Sequence, residues 1–184
     1  MAYVPVSIPR PENGGAAPVA KRKIIIVDVN DVKTEPARTL GNSTISSDYE
    51  LEQGKKGVQI YGTPTTIAIT EEQSGNPDGR GLTKGVEFEH PGDSVAIANH
   101  KEHFLNKGVI IFVTECDGVS GNGRTRVIGS VCNPLYMQPE YTNSNEGTRN
   151  HFVYKQEMAD QFTIGTYTGA LPDVADNAAS PETA

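Results

Sequence analysis

The sequence predicts a mainly β protein: a β-barrel or β-sandwich with one flanking α-helix at about residues 93–106, extended termini and long inserts between strands. Three observations carry this. Short runs rich in β-branched and aromatic residues recur from KIIIVDV at 23–29 to QFTIGTYTG at 161–169. A single segment, SVAIANHKEHFLNK, spaces its apolar residues as a helix does. The chain also holds 19 Gly and 12 Pro in 184 residues, enough to turn it many times.

Residues 1–22 are rich in Pro, Gly and Ala and lack an amphipathic period, so they read as an extended arm. The strand KIIIVDV follows, then the insert 31–56, whose turn formers and mixed charge make it long for a plain connection. GVQIYG and TTIAIT, within 57–70, are the next two strands, separated by Gly62 and Pro64. A second polar insert, EEQSGNPDGRGLTKG at 71–85, precedes VEFEH. Its glycines do not have phosphate-loop spacing, and no strong helix signal follows it.

Pro91 and Gly92 stop that strand, Asp93 is placed to cap the helix, and Gly108 to end it. On the helix Ile97, Phe104 and Leu105 share a face, with Ala98 near its edge, so one side should pack on a sheet. VIIFVTE and RTRVIGSVC then bracket a turn supplied by Asp117, Gly118, Gly121, Asn122 and Gly123. Val109, Ile111 and Val113 point one way and Ile110 and Phe112 the other, which marks a central strand with two apolar faces. NPLY after Cys132 reads as strand end and turn. RNHFVYKQ, with Phe152 and Tyr154 on one face, and QFTIGTYTG close the domain. The expected total is roughly eight strands and one helix, in a single domain at 23–169 followed by a flexible tail at 170–184.

Charge and composition narrow the function. Lys plus Arg number 16 against 23 Asp plus Glu, a formal charge of −7, unlike a protein that grips phosphate backbones. No basic start with an apolar run marks a secretory leader, and no apolar stretch is long enough for a membrane helix, so the chain reads as intracellular and soluble. Cys116 and Cys132 fit either a buried pair of thiols or a disulfide, and burial as small hydrophobes is the favoured reading.

Candidate chemistry is sparse. His100 and His103 are three apart with Glu102 between them, whereas a helical metalloprotease pair needs i, i+4 spacing with Glu beside the first His. His90 or His151 could complete a metal set in space, but boundary histidines are the simpler account. Ser94 reads as a first-turn helix residue, and no G-x-S-x-G elbow exists. His151 beside Cys132 or Cys116 would be needed for a thiol nucleophile. DVNDV at 28–32 lacks calcium-loop spacing and reads as a strand end. Arg124 and Arg126, at i, i+2 on one strand face, suit an anion or a neighbour's carboxylates, the salt bridge being favoured. The sequence therefore predicts no enzyme, no catalytic residues, no metal and no cofactor.

The order of elements in DSVAIANHKEHFLNKGVIIFVTECDG and RVIGSVCNPLYMQPEY, within 86–169, resembles the tail tube (major tail) proteins of long-tailed bacteriophages, relatives of the type VI secretion tube. That resemblance covers under half the chain and rests on the pattern of elements. It implies a structural virion protein made in the host cytoplasm, whose partners are copies of itself and other tail proteins. Six copies would close a ring, and stacked rings would form the conduit for DNA ejection without specific DNA binding. It also implies that residues 1–22, 31–56 and 71–85 order only on assembly. A capsid decoration protein or a small β-sandwich adhesion module is the alternative reading.

Overall fold

The structure, a computed structural model, describes residues 19–116, 123–144 and 147–175. It is mainly β, with one α-helix, as the sequence predicts. Its strands in chain order are β1 (Val19–Asp28), β2 (Val32–Thr34), β3 (Thr44–Ile45), β4 (Glu50–Leu51), β5 (Val58–Tyr61) and β6 (Ala68–Ser74). They continue with β7 (Gly81–Pro91), β8 (Val109–Cys116), β9 (Arg124–Ile128), β10 (Leu135–Ser144), β11 (Gly147–Gln156) and β12 (Gly165–Tyr167). The helix α1 (Val95–Phe104) lies between β7 and β8.

Ten strands form one mixed sheet, and β2 with β4 form a small second one. The large sheet has two halves. One runs β5, β1, β8, β9, β12, β3, and the other runs β10, β11, β7, β6. They join through a single paired position, Leu135 with Val109. Strands β3 and β6, the ends of the path, do not pair, so among the described residues the sheet stays open and no closed barrel forms.

Alternation along β1 and β8 builds two cores. Ile24, Ile26, Val109, Ile111 and Val113 face the β7–β11 half, where Val86, Phe88, Phe152 and Tyr154 meet them in one cluster. Ile25, Val27, Ile110 and Phe112 face the other way. Phe88, Phe152 and Tyr154 are all fully buried, with the Phe88 and Phe152 rings stacked at 5.3 Å. Burial on this scale, at about 25 cal/mol per Å² of apolar surface, is what opposes the chain entropy of so many strands.

The second core corrects the expectation for the 31–56 insert. Within a single chain this segment folds over the outer face of β1, β8 and β9. Ile45 and Tyr49 are buried there, and the Tyr49 ring meets Phe112 edge-on at 5.2 Å. Glu35 accepts the Val131 N–H at 3.1 Å, and Arg38 stacks over Phe162 and donates to Thr163 O. The 71–85 insert is equally local: β6 and β7 pair register by register from Ala68–Glu87 to Ser74–Gly81.

Other boundaries move too. The first strand begins at Val19, not 23, and residues 1–18 of the expected arm lie outside the described residues. The expected flexible tail is pinned over its first part, because Gly57 N–H donates to Asp173 O and Ala175 N–H to Gly57 O, both at 2.8 Å. The remainder, 176–184, lies outside the described residues, as does the turn at 117–122. NPLY is not a strand end: Leu135 opens the ten-residue β10. Pro139 lies within that strand; along most of its length β10 pairs only with β11, where a proline is tolerated. With this strand and several short ones, the described strands number twelve against the eight expected.

The helix is shorter than 93–106 and starts differently. Ser94 is the N-cap, its Oγ accepting the Ile97 N–H at 3.3 Å, whereas Asp93 is exposed and does not cap. Ile97, His100 and Phe104 are buried, but Leu105 is 50% exposed because the chain leaves the helix there. Gly108 does not take the left-handed conformation of a helix stop. A Cβ at Gly108 would lie 2.6 Å from Pro134 Cγ, so it is a close-approach glycine.

Candidate assembly interface

The residues considered for chemistry are dispersed. His100 is buried against Phe104 (4.6 Å between rings) and Phe152 (5.8 Å), with Nε2 3.1 Å from Tyr154 Oη. Burial, with a smaller contribution from nearby His103, lowers its pKa from 6.5 to about 4, so it is a neutral core histidine. His103 is exposed, its Nε2 2.9 Å from Lys107 Nζ. Glu102 is exposed on the same helix. His90 Nδ1 is 2.9 Å from Tyr61 O, away from this pair. Among the described residues no group of three or more His, Cys, Asp or Glu is placed to hold a metal ion.

Both cysteines are free and exposed, which corrects the expectation of buried thiols. Cys116 ends β8 where the sheet runs out, and Cys132 sits in the exposed turn after β9, so neither reaches the core. His151 is engaged elsewhere, between Glu140 (Nδ1 at 3.2 Å) and Glu87 (Nε2 at 3.6 Å). Arg124 and Arg126 do share a face, and both bind the Glu115 carboxylate of β8, at 2.9 and 3.3 Å. Asp28, at the end of β1, accepts from Asn30 N–H and pairs with Lys107 at 3.0 Å. Burial would raise its pKa, and those contacts more than reverse that, holding the carboxyl ionised. Each is a structural use of the residue.

What the fold does present is the half-sheet β10, β11, β7, β6. Its inner face carries Met137, Phe152, Tyr154, Val86 and Phe88, and the helix is tied over it by Lys101, whose Nζ donates to Asn150 Oδ1 at 2.8 Å and lies over the Tyr141 ring. By strand alternation, Glu72, Glu87, Glu89 and Glu140 face outward beside Arg149, His151 and Lys155. Glu89 and Arg149 pair at 3.7 Å on that surface.

Both long edges of this half-sheet are open among the described residues. Strand β6 pairs only with β7, and β10 beyond Leu135 pairs only with β11. Glu71, which would charge the β6 edge, instead bonds the Thr163 hydroxyl and the Ile164 N–H at 2.7 Å inside its own chain. The sequence showed the strands but not these edges, since strand order is a tertiary property. Comparison with family models, with curated proteins and with solved structures finds no match to this chain.

Proposed function

We propose that this protein is a structural subunit that joins copies of itself edge to edge into closed rings, stacked as a bacteriophage tail tube through which DNA leaves the virion. The observation that carries the reading is the pair of open edges, β6 and β10, at opposite ends of one four-stranded half-sheet. Its three internal pairings are all antiparallel, so β6 runs opposite to β10. Placing β6 of one copy beside β10 of the next therefore continues an antiparallel ladder without reversing either subunit. Such a contact is heterologous, and repeated about an axis along the strands it closes a ring. The resemblance in the order of elements gives six as the copy number.

Sterics then choose the inside of the ring. The core face of the half-sheet carries the second half-sheet and the helix, which need the greater perimeter, so the polar face turns to the bore. That face presents Glu72, Glu87, Glu89 and Glu140 against Arg149, His151 and Lys155, and six copies would multiply this excess of acids together with the −7 of each chain. An acidic lining repels phosphates and lets DNA slide. Electron microscopy and mass photometry of the full chain at rising concentration test the reading. Rings or tubes of uniform diameter are expected, and a protein that stays monomeric or trimeric at every concentration, as a decoration or adhesion module would, removes it.

A further inference from the structure

Lys84 on β7 has a side chain only 2% exposed, deep for a lysine, and it faces two groups. Its Nζ lies 2.5 Å from Asp160 Oδ1 and 3.5 Å from Oε1 of Gln156, the last residue of β11. Gln156 is 5% exposed. Its carbonyl oxygen also accepts the backbone N–H of Lys84 at 3.1 Å, while its Nε2 donates to Asn133 O at 2.7 Å and lies 3.4 Å from Asp160 Oδ2. Asp160 is itself oriented by Phe162 N–H (2.8 Å) and Asn133 Nδ2 (3.1 Å). A buried amine and a buried carboxamide thus meet a carboxylate whose side chain is 22% exposed, with one carboxylate oxygen on the amine and the other beside the amide nitrogen.

We propose that this cluster is an autocatalytic cross-linking site, in which the Lys84 amine displaces ammonia from the Gln156 side chain to join β7 and β11 by an Nε-(γ-glutamyl)lysine bond. Asp160 Oδ1 takes one proton from the ammonium and leaves a neutral amine. The amine lone pair forms the N–C bond to Gln156 Cδ, and the carbonyl electrons move to Oε1, where the Lys84 backbone N–H faces the developing charge. Asp160 delivers its proton to Nε2, the C–Nε2 bond breaks, and the nitrogen leaves with the bonding pair as ammonia. The second amine proton passes to Asp160 and departs with ammonia as ammonium, so no oxidant or co-reactant is consumed. Holding the partners in place supplies the proximity that an untethered lysine and glutamine lack.

Burial alone would raise the Asp160 pKa, but the bonds from Lys84 and Phe162 N–H more than reverse this and keep it a carboxylate; the same contacts make it a weaker base, so the first proton transfer is an uphill step. A bond between β7 and β11 would tie together two strands that carry much of the core, independently of any assembly.

The experiment is intact-mass spectrometry of the full chain, followed from refolding at neutral pH. The expected result is a time-dependent loss of one ammonia, resistance of Lys84 to trypsin, and a branched peptide linking Lys84 to Gln156. Asn13–Gly14 and Asn122–Gly123 can also lose ammonia as succinimides, so the peptide map decides the location. Lys84→Arg should keep its full mass, and Asp160→Asn should form the branch more slowly or not at all. A folded wild-type chain that retains its full sequence mass, or one whose ammonia loss maps elsewhere, overturns the proposal whether or not the variants fold.

Discussion

His100 Nε2 lies 3.1 Å from Tyr154 Oη, and that hydroxyl donates to Met137 Sδ at 3.3 Å. The hydroxyl therefore sits between the imidazole and the thioether, within reach of both. One polar chain thus runs from α1 through β11 to β10 inside an apolar core. It is sealed on the neutral imidazole.

Acid should loosen the molecule through this contact. The folded-state pKa of His100 is depressed to about 4, below its ordinary 6.5, so the unfolded chain binds the proton more readily. The contribution is fully present above about pH 6.5 and is lost as pH falls toward about 4, by roughly 3 kcal/mol at most. Urea denaturation of wild type and His100→Gln across that window measures it. The difference between the two proteins should change with pH, and parallel curves would show that His100 is not the responsible group.

Phe104 and Leu105 are adjacent and share a helical face in the sequence pattern, yet Phe104 is 4% exposed and Leu105 50%. Phe104→Ala should cost about 3–5 kcal/mol, and Leu105→Ala well under 1 kcal/mol. Comparable losses in thermal or chemical denaturation would restore the broader helix face.

Gly108→Ala should destabilise by about 1–3 kcal/mol because the new methyl overlaps the Pro134 ring. The cause is crowding, so Gly108→Ala paired with Pro134→Ala should recover part of the loss. A left-handed glycine would give no such recovery.

Edge-to-edge assembly makes a chemical prediction. In a background of Cys116→Ser and Cys132→Ser, Thr70→Cys on β6 together with Gln138→Cys on β10 should give a ladder of disulfide-linked species ending at the ring size on a non-reducing gel. Both positions face outward on the edge strands. Linkage that never passes a dimer would argue against a heterologous closing contact.

Both cysteines should react with a thiol reagent in the native protein, at two equivalents per chain and without denaturant. A native count of zero that rises only on unfolding would return them to the interior.

Much of the fold is legible in the chain because it depends on neighbours in sequence. Alternation in VIIFVTE announced a strand with two buried faces, and those faces fill two distinct cores, which the run KIIIVDV also turns out to line. The spacing of Arg124 and Arg126 announced a salt bridge on one strand face, and the single carboxylate that receives both is Glu115 of the adjacent strand. Legibility failed where distant segments decide the outcome. Tyr49 reads as an insert residue until Phe112 and Tyr167 are seen to receive it, and Cys132 reads as a small hydrophobe until its turn is placed at the surface.

Local chemistry alone determined that this would be a β-rich chain with one amphipathic helix, because side-chain shape and a period of two or 3.6 act within a few residues. The tertiary structure decided which edges stay open, which insert covers the outer sheet face, and that Lys84, Gln156 and Asp160 meet. Those are contacts between residues far apart along the chain, fixed by strand order and burial, and no local pattern encodes them.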